Sequence, residues 1–318
     1  MIPLLRPRAE ERRIVLVTGA PRSGTTVVGD VLAARRGSVS LYEPMNIQSG
    51  DKRFGVPFPI PGASGFDMDA LGEFLDDLRG PRLSLRPGVF PHENGVAALG
   101  KRLIGSRTRA SLRGALLRPW ADTLIWKDPF ALLCVPALVG LGLPVIVTYR
   151  PAAAIAASFK RLNWSFDVEA IHRRAVAGGL RAAPPRTGDG VGRETVAAVY
   201  LWRLCAEMCL TLGPGAMIVS TGNLAIAPGV AFDAIFAHAG LAVDARAARE
   251  IGARFAPRAA AAIPSGHPHS RKRDPRAVND YWKDVLSPAE RAFVAEETAE
   301  LEPRIAPRLF RPVPARVA

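Results

Sequence analysis

The chain has 318 residues, 48% hydrophobic and 22% charged, with 42 Lys and Arg against 29 Asp and Glu, for a formal net charge of +13. That balance fits an ordinary soluble globular protein with a real core, and three cysteines are too few for a disulfide framework. The positive excess would suit nucleic acid, an anionic membrane surface or a polyanionic small molecule, although arginine scattered through the sequence accounts for most of it.

The start, MIPLLRPRAEERR, lacks a signal peptide's apolar core and small-residue cleavage site, and residues 1–12 read as an N-terminal extension. Ile14 to Thr18 is short and mostly β-branched, with the apolar run Ile14-Val-Leu-Val17, which predicts a buried strand ending in glycine. A helix is expected over Thr25 to Arg36, with Val27, Val28, Val31 and Leu32 on its apolar side, then a second strand over Ser38 to Tyr42. Residues 45–66, rich in Gly and Pro, read as loop. Asp67 to Arg79 and roughly Lys101 to Arg118 are helical patterns. The second sets Arg107, Arg109, Arg113 and Arg118 beside Leu103, Ile104, Leu112, Leu116 and Leu117, and a solvated basic face is expected there rather than a membrane-surface helix.

Further strands are predicted at Thr123–Trp126, Val145–Tyr149 and Met217–Ser220, among helices at Phe130–Val139, Ala152–Lys160, Arg193–Leu212 and Val230–Ala239. The uncharged run from Phe130 to Tyr149 is long enough to span a bilayer, but Pro136, Gly140, Gly142 and Pro144 divide it into helix, turn and strand. Strands alternating with helices predict an α/β fold: three layers, P-loop-like, with a central parallel sheet flanked by helices. Residues 163–192 interrupt the rhythm and read as a lid or substrate loop. From Ser265 the chain is basic and punctuated by proline. All 318 residues read as one domain. Cys205 and Cys209, one helical turn apart, read as two buried thiols, and with Cys134 they fit a reducing cytoplasm.

The stretch Thr18-Gly-Ala-Pro-Arg-Ser-Gly-Thr-Thr26 lies between the first strand and the first helix. Backbone N–H groups at a helix N-terminus, two hydroxyls and the charge of Arg22 make an anion site. A nucleoside triphosphatase would carry lysine where this chain has Thr25, and would hold a metal ion, so ATP with magnesium is poorly served. The segment Pro21-Arg22-Ser23-Gly24-Thr25-Thr26 resembles the phosphosulfate-binding loop of PAPS-dependent sulfotransferases of bacterial type, whose pattern is Pro-Lys/Arg-Ser-Gly-Thr-Thr. Arg150, at the end of the fourth strand, and Ser158, eight residues on, are similar to that family's 3′-phosphate site. Arginine at the carboxyl end of a strand points into the crevice where open α/β sheets bind ligands. Ser270-Arg-Lys-Arg-Asp-Pro-Arg276 and Trp282-Lys283 resemble its late cofactor-closing loop, read here over residues 265–285, without the family's glycines. Arg271, Lys272 and Arg273 are its candidates for the 3′-phosphate. Little aromatic interleaving supports a nucleic-acid groove.

Sulfuryl transfer is an in-line displacement that needs a base on the acceptor hydroxyl and cations on the transferred group. Where cytosolic members of the family place a histidine, in a Lys-x-His segment, this chain has Trp126-Lys127-Asp128-Pro129. Lys127 is kept and the histidine is absent. Leu41-Tyr-Glu-Pro44 resembles the catalytic-glutamate element of bacterial carbohydrate sulfotransferases, which implies Glu43 as base; its rival role is an ion pair with the neighbouring cations. Asp128 is expected to cap the following helix. His267-Pro-His269 lacks the other ligands of a metal site, and no metal is expected. His92 and His238 show no visible partner, and His172 sits in the candidate lid. Ser220-Thr-Gly-Asn-Leu224 lacks the acidic residue that many members carry before the leucine. The resemblance runs over residues 13–290 and implies a cytoplasmic PAPS-dependent enzyme acting on a carbohydrate or other hydroxyl acceptor. Arg22, Lys127 and Glu43 would be catalytic, with Ser23, Gly24, Thr25, Thr26, Arg150 and Ser158 on the donor nucleotide. The alternatives are a P-loop kinase of a small molecule and a nucleotide-binding protein without catalysis.

Overall fold

A computed structural model describes residues 12–87, 106–256 and 280–312. Five strands form its sheet: β1 (Arg13–Gly19), β2 (Ser38–Tyr42), β3 (Thr123–Lys127), β4 (Val145–Tyr149) and β5 (Ala216–Ser220). They are all parallel, in the order β2-β3-β1-β4-β5. Strands of this kind are buried on both faces, so they read as continuous apolar runs. The period-2 alternation still separates the two faces. Ile14 and Leu16 enter one apolar cluster with Leu124, Trp126, Val145 and Val147. Val15 and Val17 enter the other with Ile125, Ile146 and Val219.

The face with Val15 and Val17 is covered by α1 (Thr25–Ala34), with α9 (Pro228–His238) and α10 (Ala245–Phe255) packed beside it. The opposite face packs α2 (Met68–Arg79), α5 (Ala152–Leu162) and α7 (Arg193–Thr211). Shorter elements complete the described chain: α3 (Arg107–Leu116), a 3-10 turn over Pro129–Cys134, α4 (Val135–Gly140), α6 (Val168–Ala177), α8 (Thr221–Ile226), α11 (Trp282–Val285), α12 (Pro288–Thr298) and α13 (Leu301–Ile305).

Several expectations shift at this point. The helix expected over Phe130–Val139 begins as a 3-10 turn, because Asp128 caps it and Pro136 opens the α-helical part. Residues 163–192 contain α6, whose Ile171 and Ala175 are fully buried, and Arg186 at the far end of that segment pairs with Glu296 and Glu297 of α12. Within the proline-punctuated tail, Pro288 begins a helix rather than ending one. Ser287 and Glu290 form a reciprocal capping box there, and proline suits the first helical position. Of the pattern at 101–118, residues 106–118 are described, and only Thr108 and Ala115 of α3 are buried. Cys134, Cys205 and Cys209 are free and buried, as two neighbouring thiols on one helix face would be.

Candidate functional site

A parallel sheet brings the carboxyl ends of its strands to one edge, and the crevice opens where successive connections leave in opposite directions. Here β1 connects to β2 on one side, while β3 crosses β1 to reach β4. The end of β1 is therefore the switch point. Gly19 to Gly24, Glu43, Lys127, Arg150 and Thr221 all follow or end strands at this edge.

The loop after β1 is tightly wound. Gly19 has φ of 143°, Arg22 of 73° and Gly24, the N-cap of α1, of 106°. A Cβ on Gly19 would lie 2.3 Å from the Thr148 carbonyl oxygen, so the loop can lie against β4 only without a side chain there. Ser23 Oγ meets Thr148 Oγ1 at 2.6 Å, and Thr148 in turn donates to the Thr18 carbonyl at 3.1 Å. Thr25 is buried at the first turn of α1, and Thr26 beside it is half-buried.

Arg22 reaches across to α5: its Nε donates to Ser158 Oγ at 2.9 Å. Arg150 lies behind the loop, donating from Nη1 to the Arg22 carbonyl at 3.2 Å. Its own carbonyl accepts from Trp202 Nε1 at 3.0 Å. Arg150 and Ser158 are 5% and 2% exposed, so both arrive at the crevice as buried polar groups fixed by specific partners. Two aromatic residues join them without a sequence motif to announce it. Trp164 lies with its ring 5.8 Å from the Arg22 guanidinium, and Tyr281 with its ring 5.6 Å from that of Arg150. Tyr281 immediately precedes Trp282 and Lys283, so the C-terminal end of the segment read as a closing loop returns beside Arg150. Lys283 itself is exposed and pairs with Asp280. Arg271, Lys272 and Arg273 lie outside the described residues, as do His92, His267 and His269.

The second half of the crevice is built on the register of β2 with β3, which sets Tyr42 directly beside Lys127. Lys127 Nζ stands 3.7 Å over the Tyr42 ring and 2.9 Å from Glu43 Oε1. Its stem passes α1 at Gly29, where a Cβ would lie 3.0 Å from Lys127 Cγ. Glu43 has a φ of 47°, unusual for a residue with a side chain, and its N–H donates to the Lys127 carbonyl at 2.8 Å. Its second oxygen, Oε2, accepts from Asn46 Nδ2 at 3.0 Å. Burial works to raise the Glu43 pKa, but the Lys127 charge and the hydrogen bonds of Lys127 and Asn46 outweigh it, and the carboxyl is held below its ordinary value. Burial likewise works against the Lys127 ammonium, yet Glu43 and Tyr42 hold its pKa above the ordinary value. The pair is thus ionised on both sides.

Asp128 supports this pair from below. It is fully buried and accepts from Met45 N at 2.7 Å, Phe130 N at 2.9 Å and Trp126 Nε1 at 3.3 Å. It therefore caps the turn, as expected, and also fixes the chain after Glu43. Burial and the nearby Glu43 charge push its pKa up to about 7. His172 hydrogen-bonds through Nδ1 to the Tyr200 hydroxyl at 2.9 Å, and His238 through Nε2 to the Val145 carbonyl at 3.1 Å.

Thr221, the first residue of α8 directly after β5, is a further residue that sequence reasoning passed over. A Cβ on Gly24 would lie 2.5 Å from Thr221 Cγ2, and Thr221 Oγ1 is buried with no hydrogen-bond partner among the described residues. An orphaned hydroxyl against the glycine that opens α1 fits a ligand with acceptor oxygens. The signal was Ser220-Thr-Gly-Asn at a strand end. Among the described residues, no group of three or more His, Cys, Asp and Glu could hold a metal ion, and no helix is long and apolar enough to cross a membrane.

No family model and no curated protein sequence matches the chain. Among solved structures it is similar to the sulfotransferase domain of the olefin synthase from Synechococcus PCC 7002, at 17% identity over 92% of this chain and 97% of that one, with a TM-score of 0.39. The sulfotransferase domain from the curacin biosynthetic pathway is 14% identical over 91% and 98%, with a TM-score of 0.44. Sulfotransferase STF9 from Mycobacterium avium is 12% identical over 97% and 80%, with a TM-score of 0.43.

Proposed function

We propose that the chain moves a sulfuryl group from PAPS, 3′-phosphoadenosine 5′-phosphosulfate, to a hydroxyl acceptor such as a carbohydrate. One observation carries this reading. Two motifs far apart in sequence meet at the end of β1, where Arg22 Nε donates to Ser158 Oγ at 2.9 Å and Arg150 donates to the Arg22 carbonyl at 3.2 Å. A nucleotide with phosphate at both ends needs two anion sites held at a fixed separation, and those residues supply them. Ser23, Gly24, Thr25 and Thr26 would receive the 5′ end on backbone N–H groups and hydroxyls at the start of α1. Arg150 and Ser158 would hold the 3′-phosphate, joined by Arg271, Lys272 and Arg273. The cations of the reaction would be Arg22 and Lys127 rather than a metal ion.

The acceptor oxygen attacks sulfur while the bond from sulfur to the 5′-phosphate oxygen breaks, and 3′,5′-ADP leaves with the electron pair. The acceptor proton passes to Glu43. Charge builds on the leaving oxygen, and Lys127 stabilises it by turning from Glu43 towards it. A carboxylate that loses its ammonium partner becomes more basic at that moment. The ion pair seen at 2.9 Å and the base role are then successive states of one pair.

Equilibrium binding of 3′,5′-ADP, compared with ATP and magnesium, tests the donor site. Tight 3′,5′-ADP binding with weak ATP binding is expected. Preference for ATP with magnesium would replace this reading with a kinase. Tight 3′,5′-ADP binding without transfer from labelled PAPS to sugars, lipid-linked glycans, phenols or peptide tyrosines would leave a nucleotide-binding protein.

A further inference from the structure

The end of the sheet opposite the crevice carries a feature that donor binding does not use. After α3, the turn Leu116-Leu-Arg-Pro-Trp120 exposes three large apolar side chains: Leu116 is 54% exposed, Leu117 75% and Trp120 59%. They are not exposed because the segment has frayed. Arg12, only 3% exposed, holds the turn's backbone from inside. Its Nε donates to the Ala121 carbonyl at 3.1 Å, and its Nη2 donates to those of Arg118 and Ala115 at 3.0 and 3.4 Å. With those carbonyls drawn inward, Leu116, Leu117 and Trp120 point out from a fixed frame.

The same segment is strongly basic. From Arg107 to Trp120 it carries no acidic residue, and its arginines divide: Arg107 lies 5.8 Å from the Tyr42 ring at the crevice end of α3 and Arg109 donates to the Leu85 carbonyl, which leaves Arg113 and Arg118 for the tip. Arg113 and Arg118 are exposed and flank the leucines. Arg36, also exposed, leads into β2 at the same end of the sheet, where two acids are engaged: Asp122 pairs with Arg35 at 3.0 Å, and Asp244 accepts from Arg36 N at 2.7 Å.

We propose that this tip docks the protein on an anionic phospholipid surface. Leu116, Leu117 and Trp120 would enter the boundary between headgroups and acyl chains, while Arg113 and Arg118 reach the lipid phosphates. Tryptophan favours that boundary because one edge of its ring is polar and the rest apolar. Arginine beside it can keep its stem along the apolar layer and its head among phosphates. Basic residues next to a bilayer gain from the negative surface potential of anionic lipids.

A protein partner is the poorer match. A stable protein interface needs about 800 Å² from each partner, and three side chains on a projecting turn provide only part of that. The orientation also suits a surface. Residues 116–120 precede β3, whose far end carries Lys127, so the crevice faces away from a membrane bound at this tip. No helix among the described residues is long and apolar enough to span, so attachment here is peripheral.

Co-sedimentation of the full chain with unilamellar vesicles tests the proposal. Phosphatidylcholine alone is compared with a mixture containing about one third phosphatidylglycerol. A net charge of +13 would by itself draw the chain to anionic vesicles, so the deciding measurement is the variant Leu117→Ser with Trp120→Ser, which keeps every charge. Binding to the mixed vesicles should fall by roughly tenfold in that variant, with the far-ultraviolet circular dichroism unchanged. Trp120→Phe retains an apolar ring and should bind nearly as wild type, but without the tryptophan emission quenched by brominated acyl chains. Equal binding of wild type and the double serine variant would overturn the proposal, as would failure of the wild type to bind the mixed vesicles. A protein that binds no vesicle and elutes as a dimer only with Leu117 and Trp120 intact would mark the tip as a contact between copies.

Discussion

The two halves of the crevice hold their charges in different ways. Around β1 and β4, position is set by backbone and by neutral oxygens: Arg22 sits at a φ of 73°, its Nε on Ser158 Oγ, with Arg150 on the Arg22 carbonyl. Around β2 and β3, position is set by an ion pair, Lys127 with Glu43, standing over Tyr42 and supported by Asp128. Arginine does not lose its proton in any working range, so the first half keeps its charges across pH. The second half depends on the protonation of two carboxyls. A binding site gains from the first arrangement. A site in which a proton must move gains from the second.

The largest expected effect separates the halves outright. Arg22→Ala should weaken 3′,5′-ADP binding by about tenfold to a hundredfold, the scale of a lost hydrogen bond from a charged group. Lys127→Met should leave that affinity within about threefold of wild type and lower turnover at saturating PAPS by about a hundredfold to a thousandfold, the scale of one transition-state donor. Glu43 would also be left buried without its cation, so the variant is checked first by a urea melt. Equal losses of affinity in both variants would erase the distinction between the halves.

How much of this was legible in the sequence follows the same division. The strands were readable because continuous β-branched apolar runs have few other uses, and the boundaries of β2 and β4 matched their expected residues. The loop from Gly19 to Gly24 was readable because its whole pattern is local. The contacts that complete the crevice are not local. Arg22 and Ser158 are 136 residues apart, and only the crossover of β3 past β1 to β4 brings them together. Trp164 and Tyr281 reach the two arginines from segments with no repeating pattern, so no spacing could place them. Asp128 was readable as a cap from its position before Pro129, but not as the acceptor for Met45 N, which depends on β2 lying beside β3. The leucines after Arg113 were ambiguous in the sequence. At helical spacing Leu116 and Leu117 look like core, whereas the helix ends there and both face outward.

A middle-sized effect lies in the pH dependence of stability, where the two carboxyls of the second half act with opposite sign. Glu43 is held below its ordinary value, so its contribution is complete above the ordinary glutamate range and is lost as pH falls through the folded value. Asp128 is raised from 3.8 to about 7, so the folded state holds its proton more tightly than the unfolded chain does. Stability therefore falls as pH rises across that window. Urea midpoints measured across the acid to neutral range should show both limbs in wild type. Asp128→Asn should lower the unfolding free energy throughout, by about 1–3 kcal/mol, since an amide nitrogen must face one of three N–H groups. It should also remove the decline towards neutral pH, while Glu43→Gln should remove the acid limb and leave a shallower decline, because burial still raises the Asp128 pKa once the Glu43 charge is gone. A slope towards neutral pH that survives in Asp128→Asn would transfer that titration to another group.

The smallest effect tests how Lys127 is aimed. Its Nζ stands 3.7 Å over the Tyr42 ring, where the negative face of the ring attracts an ammonium, and burial strengthens that attraction. Tyr42→Phe keeps the ring but loses the hydroxyl that helps to hold Glu43 and Lys127 ionised, and should lower turnover less than Tyr42→Leu, which also removes the ring attraction of about 1–2 kcal/mol and should lower turnover by about fivefold to thirtyfold. Because Tyr42 belongs to β2, neither change should move 3′,5′-ADP affinity if the donor sits on β1 and β4 as proposed. A Tyr42→Leu variant that loses donor affinity as well would show that the halves are mechanically joined through β3, the strand between β2 and β1, and that the ion pair helps to shape the donor loop.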